Sequence, residues 1–223
     1  MRRVGLLGGV FDPPHDGHLK LAWLAWECLR LDELRFVPTF ISPQKYDSAA
    51  RPDARLAMLR EMLVNTPFCV DTVELELGGV SYTVNTLETL CVREPDVAWI
   101  LIMGSDRVAD FADWRESGRI LEMTSVSVGV RPDATVIRAC DAGLTMDKSA
   151  VLTGLPDVLC SRVRDVWSGE AGEMVLLPGT ELNLASSQIR NRLMDGGEPT
   201  GLCEQVKRVI VKEKLYSSST FHS

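Results

Sequence analysis

The sequence predicts an α/β fold, in which a doubly wound, mostly parallel sheet carries helices on both faces. Two observations predict it. Short apolar segments that end at glycine or proline alternate with longer segments of helical periodicity along nearly the whole chain. The most apolar segment, 97–106, is short and ends in Gly-Ser-Asp, which is typical of a buried central strand. Strands that alternate with helices are joined by right-handed crossovers, so the sheet is expected to be parallel.

Six strands are predicted from their apolar residues. Five of them are short apolar runs, whereas the third, "FCVDTVELEL", alternates like a half-buried strand. In chain order the predicted strands cover residues 2–9, 33–39, 68–77, 97–106, 125–132 and 173–180.

Seven helices are predicted between and after the strands. Leu19, Ala22 and Trp26 define the apolar face of the first, and Pro52 suits the first turn of the second. Ser81 or Thr83 is expected to cap the third helix, while a serine cap and a glycine stop bound the sixth. In chain order the predicted helices cover residues 17–31, 51–64, 81–94, 111–123, 156–167, 186–197 and 202–216.

Composition narrows the class of protein. The 223 residues suit a single domain over 1–215 with a flexible tail over 216–223. A net charge of -7 without a cluster of basic residues argues against nucleic-acid binding. The six cysteines have no C-x-x-C spacing, which argues against a zinc site and favours reduced thiols. No apolar run approaches a membrane span, so we expect a cytoplasmic protein.

The first strand leads into an unusual stretch, "GLLGGVFDPPHDGH", at 5–18. Glycines at the end of a strand let the backbone approach an anion, and the helix that starts near Asp16 offers N–H groups. His15 and His18 lie three residues apart on the first helical turn, so both imidazoles can reach the same phosphate, and Gly17 leaves room for it. Histidines that only cap the helix or fill the core are the alternative, which the pairing with three glycines disfavours.

Two widely separated stretches identify a family. "GGVFDPPHDGH" resembles the G-G-[ST]-F-D-P-x-H-x-G-H signature of the nucleotidyltransferases that carry the H-x-G-H motif. "ASSQIR", at 185–190, resembles the S-[ST]-x-x-[IV]-R element of the same superfamily, in which a serine-capped helix and an arginine suit a triphosphate. The resemblance implies a doubly wound, Rossmann-like fold and transfer of a nucleotidyl group to a phosphate-bearing acceptor, with release of pyrophosphate.

Three further stretches resemble the bacterial nicotinate-nucleotide adenylyltransferases. They are "FVPTFISPQK" at 36–45, "SYTVNTL" at 81–87 and "MGSDRVADFADW" at 103–114. The resemblance implies that the phosphate of nicotinate mononucleotide attacks the α-phosphate of ATP, giving deamido-NAD and pyrophosphate in NAD biosynthesis. It also implies that Mg²⁺ arrives on the ATP phosphates, with no direct protein ligand.

Matching positions carry the family's site residues onto this chain. The catalytic residues are expected to be His15, His18, Lys45 and Arg190. The ATP-binding residues are expected to be Gly8, Gly9, Val10, Phe11, His15, His18, Gly104, Asp106, Ser186, Ser187, Ile189 and Arg190. The acceptor-binding residues are expected to be Thr39, Lys45, Tyr82, Thr83, Asp106, Trp114 and Arg131.

Two alternatives stay open. The same chemistry could act on nicotinamide mononucleotide or phosphopantetheine instead. A non-catalytic module that senses adenine nucleotides is the second alternative, favoured by Val10, which stands where the family usually has Ser or Thr. The expected partners are small molecules, without nucleic acid or membrane, and self-association into a homo-oligomer is left open.

Overall fold

The computed structural model describes residues 1–43, 49–108, 110–129, 162–164, 166–177 and 184–217. Two predicted site residues, Lys45 and Arg131, lie outside the described residues, as does most of the helix predicted at 156–167.

The described residues form one sheet of seven strands, all parallel, in the order β3-β2-β1-β4-β5-β7-β6. The predicted doubly wound parallel sheet is therefore confirmed. The strands are β1 Arg2–Gly9, β2 Glu33–Pro38, β3 Cys69–Val70, β4 Val97–Gly104, β5 Ser125–Gly129, β6 Val163–Arg164 and β7 Met174–Leu177.

The order of the strands reverses beside β1. The chain runs outward from β1 through β2 to β3, then returns to place β4 on the other side of β1. Leu7 of β1 pairs with Phe36 of β2 and with Ile102 of β4, so these three strands end at the same edge of the sheet. In an open parallel sheet this switch point is where ligands bind.

Helices cover both faces of the sheet. One hydrophobic cluster contains Ala25 of α1, Met58 of α2 and Val206 of α7, and the other contains Leu87 of α4 and Ile120 of α5. None of the helices described here is long and apolar enough to cross a membrane. The helices are α1 Asp16–Leu29, α2 Pro52–Leu63, α3 Val73–Leu77, α4 Thr83–Arg93, α5 Ser117–Met123, α6 Ser186–Met194 and α7 Glu204–Lys212.

The prediction of a strand over 68–77 is wrong beyond its first residues. Only β3 forms, and α3 follows it as a short helix. The carboxylate of Asp71 accepts the N–H of Val73 at 3.0 Å, which starts the helical turn. The Thr72 hydroxyl donates to Glu76 at 2.7 Å, while Glu74 turns inward and accepts a hydrogen bond from the Thr86 hydroxyl at 2.8 Å.

The helix predicted over 111–123 is interrupted. Phe111–Asp113 form a 3-10 turn, Trp114 is extended, and Glu116 adopts a left-handed conformation with φ of 55° before α5 begins. Neither the extended Trp114 nor the left-handed Glu116 has the dihedral angles of a right-handed helix, so α5 begins only at Ser117. Val163–Arg164, which were predicted as helical, instead form β6 beside β7.

The predicted caps are also wrong: neither Ser81 nor Thr83 caps α4, and the hydroxyls of Ser81 and Ser186 bond elsewhere. Tyr82 precedes α4 and Ala185 precedes α6, and neither helix has a side-chain cap. Pro52 does occupy the first turn of α2, and Gly196, with φ of 73°, follows α6 as predicted. Near the C-terminus, the predicted tail begins at Tyr216. This side chain is buried, so the folded part of the chain extends at least to this residue.

Candidate active site

Two glycines leave room for other groups, one near the end of β1 and one at the start of α1. A side chain on Gly8 would meet no atom of the described residues within 4 Å, so this part of the chain leaves the space above the strand end open. A Cβ on Gly17 would lie 3.0 Å from Cε1 and Nδ1 of the His15 ring, so any side chain there would displace the imidazole. Gly17 therefore makes room for the His15 ring itself.

The two imidazoles lie together at the start of α1. Their ring centroids are 3.8 Å apart at an interplanar angle of 31°. Nδ1 of His18 accepts the backbone N–H of His15 at 3.1 Å, and the Phe11 ring packs edge-on against His18 at 5.0 Å. Because Nδ1 is the acceptor, the proton of the neutral ring is on Nε2, which can donate to a phosphate oxygen.

Burial and the nearby His15 ring both lower the pKa of His18 well below its ordinary value. The backbone hydrogen bond from His15 only partly offsets them. His18 is therefore neutral at neutral pH, and a neutral imidazole can interact with an anion only as a hydrogen-bond donor.

The lowered pKa of His18 predicts a loss of stability in mild acid. In the unfolded chain His18 takes up a proton near its ordinary pKa of 6.5, whereas the folded ring does not. The unfolded state then binds more protons, so the free energy of unfolding falls as the pH drops below 6.5. Between about pH 7 and 5.5, we expect the free energy of unfolding to fall by about 1 kcal/mol less in His18→Asn than in the wild type, as measured by urea unfolding. Equal losses in both proteins would contradict this.

The two family signatures meet directly. The Ser186 hydroxyl donates to the carbonyl of Pro13 at 2.9 Å, across 173 residues of sequence. Nη1 of Arg190 donates to the carbonyl of Asp12 and lies 3.8 Å from its carboxylate. Ile189 is buried and anchors α6, whereas Ser187 is exposed. The start of α6 and the histidine pair thus flank the same strand end.

The first amides of α1 are less available than predicted. The N–H of Asp16 donates to the carbonyl of Gly201 at 2.9 Å, and that of His18 donates to the carbonyl of His15 at 2.9 Å. An anion at this helix start would therefore meet the imidazoles and not these two backbone donors.

The segment after β2 connects the end of β1 to the start of α4. The N–H of Thr39 donates to the carbonyl of Gly9 at 3.0 Å. The N–H of Phe40 donates to the Ser81 hydroxyl at 2.9 Å, and the N–H of Ser81 donates to the carbonyl of Ile41 at 2.8 Å. These bonds explain why Ser81 does not cap α4, and they connect the start of α4 to the end of β1.

The segment after β4 approaches the same helix start. Trp114 is half-buried, with its ring centroid 5.4 Å from that of Phe111. The guanidinium of Arg115 lies over the Tyr82 ring at 4.8 Å, which joins this segment to Tyr82 and Thr83. At the end of β4, a Cβ on Gly104 would lie 2.5 Å from Oδ1 of the exposed Asp106. The predicted acceptor residues in the described part thus lie on three connected segments.

Sequence reasoning missed Arg55, whose side chain is completely buried. Its guanidinium donates to the carbonyls of Val10 at 2.7 Å, Thr39 at 2.8 Å, Phe40 at 3.1 Å and Ala50 at 3.3 Å. It therefore joins the ends of β1 and β2 to the start of α2. Burial lowers the pKa of Arg55, and the carboxylate of Asp12 opposes that shift. An arginine on the otherwise apolar face of α2 is the signal that would have revealed it.

Asp12 and Tyr216 were also missed as site residues. The Asp12 carboxylate is buried beside the strand end, where it accepts hydrogen bonds from two backbone amides and, at 2.6 Å, from the Tyr216 hydroxyl. Asp12 lies inside the first signature and could have been noticed there. Nothing in the local sequence of Tyr216 distinguishes it from an ordinary C-terminal aromatic residue.

Comparisons with known proteins identify the family of this chain. The family model described as cytidylyltransferase-like matches residues 6–192. A "Probable nicotinate-nucleotide adenylyltransferase" of Hydrogenovibrio crunogenus is 35% identical over 217 residues, which cover 96% of this chain and 98% of that protein. A protein of the same name from Halalkalibacterium halodurans is 34% identical over 223 residues, with 98% and 93% covered.

A solved structure shares the fold at low sequence identity. The "Plasmodium falciparum nicotinic acid mononucleotide adenylyltransferase complexed with NaAD" superimposes with a TM-score of 0.72 and is 16% identical, covering 97% of this chain and 98% of that one. The matching family model and the relatives that align over nearly the whole chain show the family: this chain belongs to the cytidylyltransferase-like proteins, among the nicotinate-nucleotide adenylyltransferases.

Proposed function

We propose that this protein transfers the adenylyl group of ATP to nicotinate mononucleotide, giving deamido-NAD and pyrophosphate in NAD biosynthesis. One observation carries the proposal: the segment that contains the histidine pair is bonded directly to the segment that contains Arg190. Donors from both ends of the chain therefore surround one strand end. The names of the relatives and of the structural neighbour, which was complexed with NaAD, support the same reaction.

The reaction requires no covalent bond to the protein. A phosphate oxygen of the acceptor attacks the α-phosphorus of ATP in line, while the bond from that phosphorus to the bridging oxygen of the β-phosphate breaks. The electron pair leaves with pyrophosphate. Catalysis then consists of positioning the two substrates and stabilising charge on the phosphates.

The chain supplies fixed donors for that charge. Nε2–H of His18 points away from its backbone partner, and the guanidinium of Arg190 reaches the same strand end from α6. Such preorganised donors stabilise charge that develops on a leaving phosphate. Lys45 is proposed to contribute a further cation.

Mg²⁺ is proposed to enter with ATP. Within the described part of the chain, no group of three or more His, Cys, Asp or Glu side chains could hold a metal ion. The donors around the strand end are imidazole and guanidinium N–H groups, which fit phosphate oxygens and not a cation. Bound to the triphosphate, Mg²⁺ would neutralise part of its charge.

The acceptor is proposed to bind between the start of α4 and Trp114. A flat, cationic pyridine ring is stabilised over an indole, and the N–H groups at the start of a helix suit the nicotinate carboxylate. Thr39, Tyr82, Thr83 and Asp106 are proposed to complete the pocket, together with Arg131.

The test is a direct assay of purified protein with ATP, Mg²⁺ and each of three acceptors: nicotinate mononucleotide, nicotinamide mononucleotide and phosphopantetheine. We expect pyrophosphate release and deamido-NAD with the first. Faster turnover of another acceptor would favour the same chemistry on that acceptor. ATP binding by calorimetry without turnover of any acceptor would favour the nucleotide-sensing module and contradict the proposal. The cytoplasmic location remains a prediction, and self-association into a homo-oligomer stays open.

Trp114→Ala is expected to raise KM for nicotinate mononucleotide by about tenfold, with KM for ATP changed less than about twofold, because only the pyridine ring loses its aromatic partner. Steady-state kinetics with each substrate varied in turn measures both values. Trp23→Ala, which removes a partly exposed tryptophan from α1, is the control and should leave the ratio of the two KM values unchanged. Equal increases in both KM values for Trp114→Ala would indicate a packing role only.

A further inference from the structure

Asp12 is a buried carboxylate that connects three parts of the chain. Its Oδ2 accepts the N–H of Ala49 at 2.8 Å, and its Oδ1 accepts the N–H of Ala50 at 3.2 Å. Oδ1 also accepts the hydroxyl of Tyr216 at 2.6 Å. Nη1 of Arg190 lies 3.8 Å from Oδ2, which is an ion pair without a hydrogen bond, and donates its hydrogen bond to the backbone carbonyl of Asp12.

Tyr216 is held firmly against this carboxylate. It is 4% exposed and follows α7, and its hydroxyl also lies 4.0 Å from the Met58 sulfur of α2. Met58 and Ile210 of α7 belong to the same hydrophobic cluster as Tyr216. Burial and the carboxylate of Asp12 raise the pKa of Tyr216 far above its ordinary value, so the hydroxyl keeps its proton at any pH of interest.

The donors around Asp12 limit its attraction for Arg190. A buried carboxylate that lacks a donor recruits the nearest cation, because an unsatisfied buried charge is costly. Of the two arginines that act on Asp12 in the described part of the chain, the completely buried Arg55 is already bonded to four carbonyls. Arg190, whose side chain is 23% exposed, is the one that could turn toward the carboxylate. A guanidinium paired with Asp12 is less available to an anion.

We propose that Tyr216 is a positioning residue for the nucleotide. By donating to Asp12, it keeps the guanidinium of Arg190 directed at the triphosphate and not at the carboxylate. This inference rests on the proposed function, because it assigns Arg190 to ATP.

Tyr216→Phe tests the proposal with the change of one atom. We expect KM for ATP to rise by about fivefold to tenfold, the effect of weakening one charged hydrogen bond, while KM for nicotinate mononucleotide stays within about twofold. Calorimetric binding of a non-hydrolysable ATP analogue should weaken by the same factor. An unchanged KM for ATP, or equal increases for both substrates, would overturn the proposal, and wild-type protein without adenylyl transfer would instead contradict the proposed function.

Two controls separate positioning from loss of packing. Ile210→Val loosens α7 in the same hydrophobic cluster without removing a donor from Asp12, so it should lower Tm and leave both KM values unchanged. In an Arg190→Ala background, Tyr216→Phe should not weaken binding of the ATP analogue further, because two residues that act through one contact are not additive. The same weakening in both backgrounds would overturn the proposal.

If Tyr216→Phe does not fold, Asp12→Asn provides the second variant. This change removes the charge that would attract Arg190, so the proposal expects the ATP analogue to bind at least as tightly as to the wild type. Weaker binding to a folded Asp12→Asn variant would overturn it.

Discussion

Replacing His18 with asparagine is expected to lower kcat of adenylyl transfer by about 10²- to 10³-fold while the protein stays folded. The amide oxygen of the introduced asparagine would occupy nearly the position of Nδ1 and can still accept the backbone N–H of His15. What the variant loses is the Nε2–H donor, which is the part of the ring proposed to face the phosphates. Pyrophosphate release at saturating ATP and acceptor measures kcat, and circular dichroism reports the fold.

His18→Gln is the matched variant, because it makes the opposite change: it keeps a donor and loses the acceptor. Its side-chain amide can extend a donor toward the position of Nε2 but cannot reproduce the short acceptor at Nδ1. We expect this variant to be less stable than His18→Asn and to retain more activity. If His18→Asn turned over within about threefold of the wild-type rate, the imidazole would serve only to start α1, and the proposed electrostatic role would fail.

Arg55→Met is expected to lower the free energy of unfolding by about 3 kcal/mol or more. Methionine fills a similar volume but leaves the carbonyls of Val10, Thr39, Phe40 and Ala50 without the donor that now satisfies them. It also removes a positive charge that acts on the buried Asp12. Urea unfolding compares the variant with the wild type.

Arg60→Met provides the control on the same helix. Arg60 is exposed on α2, so its replacement should change the free energy of unfolding by less than about 0.5 kcal/mol. Because Arg55 joins the ends of β1 and β2, its loss should also reduce adenylyl transfer in the molecules that remain folded. A stability change for Arg55→Met no larger than that of Arg60→Met would contradict the role assigned to this guanidinium.

Strand-to-helix boundaries that depend on local chemistry could be predicted from the sequence. The glycines at the end of β1 and the histidines that follow mark the start of α1, and the short apolar run of β4 marks a central strand. The strand predicted over 68–77 is wrong beyond its first residues because the alternating pattern V-E-L-E-L also fits one turn of helix. The helix forms because Asp71 and Thr72 make local hydrogen bonds and because Glu74 accepts a hydrogen bond from Thr86, which is a tertiary contact.

Contacts between distant residues explain what the sequence could not predict in the site. A serine before a helical pattern predicts a cap, but Ser81 bonds to the Phe40 amide and Ser186 to the Pro13 carbonyl. Arg55 is a charged residue on the otherwise apolar face of α2, yet the sequence does not indicate which carbonyls its guanidinium contacts. The residues proposed to bind ligands could be named from the family signatures, whereas Arg55 and Tyr216, which hold those signatures in place, lie outside them.

The hydrogen bond between Asp12 and Tyr216 joins positions 204 residues apart, and it closes the strand end with one of the last residues of the described chain. During synthesis the histidine pair leaves the ribosome early, but its surroundings stay incomplete until translation has passed residue 216. A contact of such long range forms late, since much of the chain must already be ordered for the two residues to meet. A nascent or truncated chain would therefore hold the H-x-G-H segment without a finished nucleotide pocket.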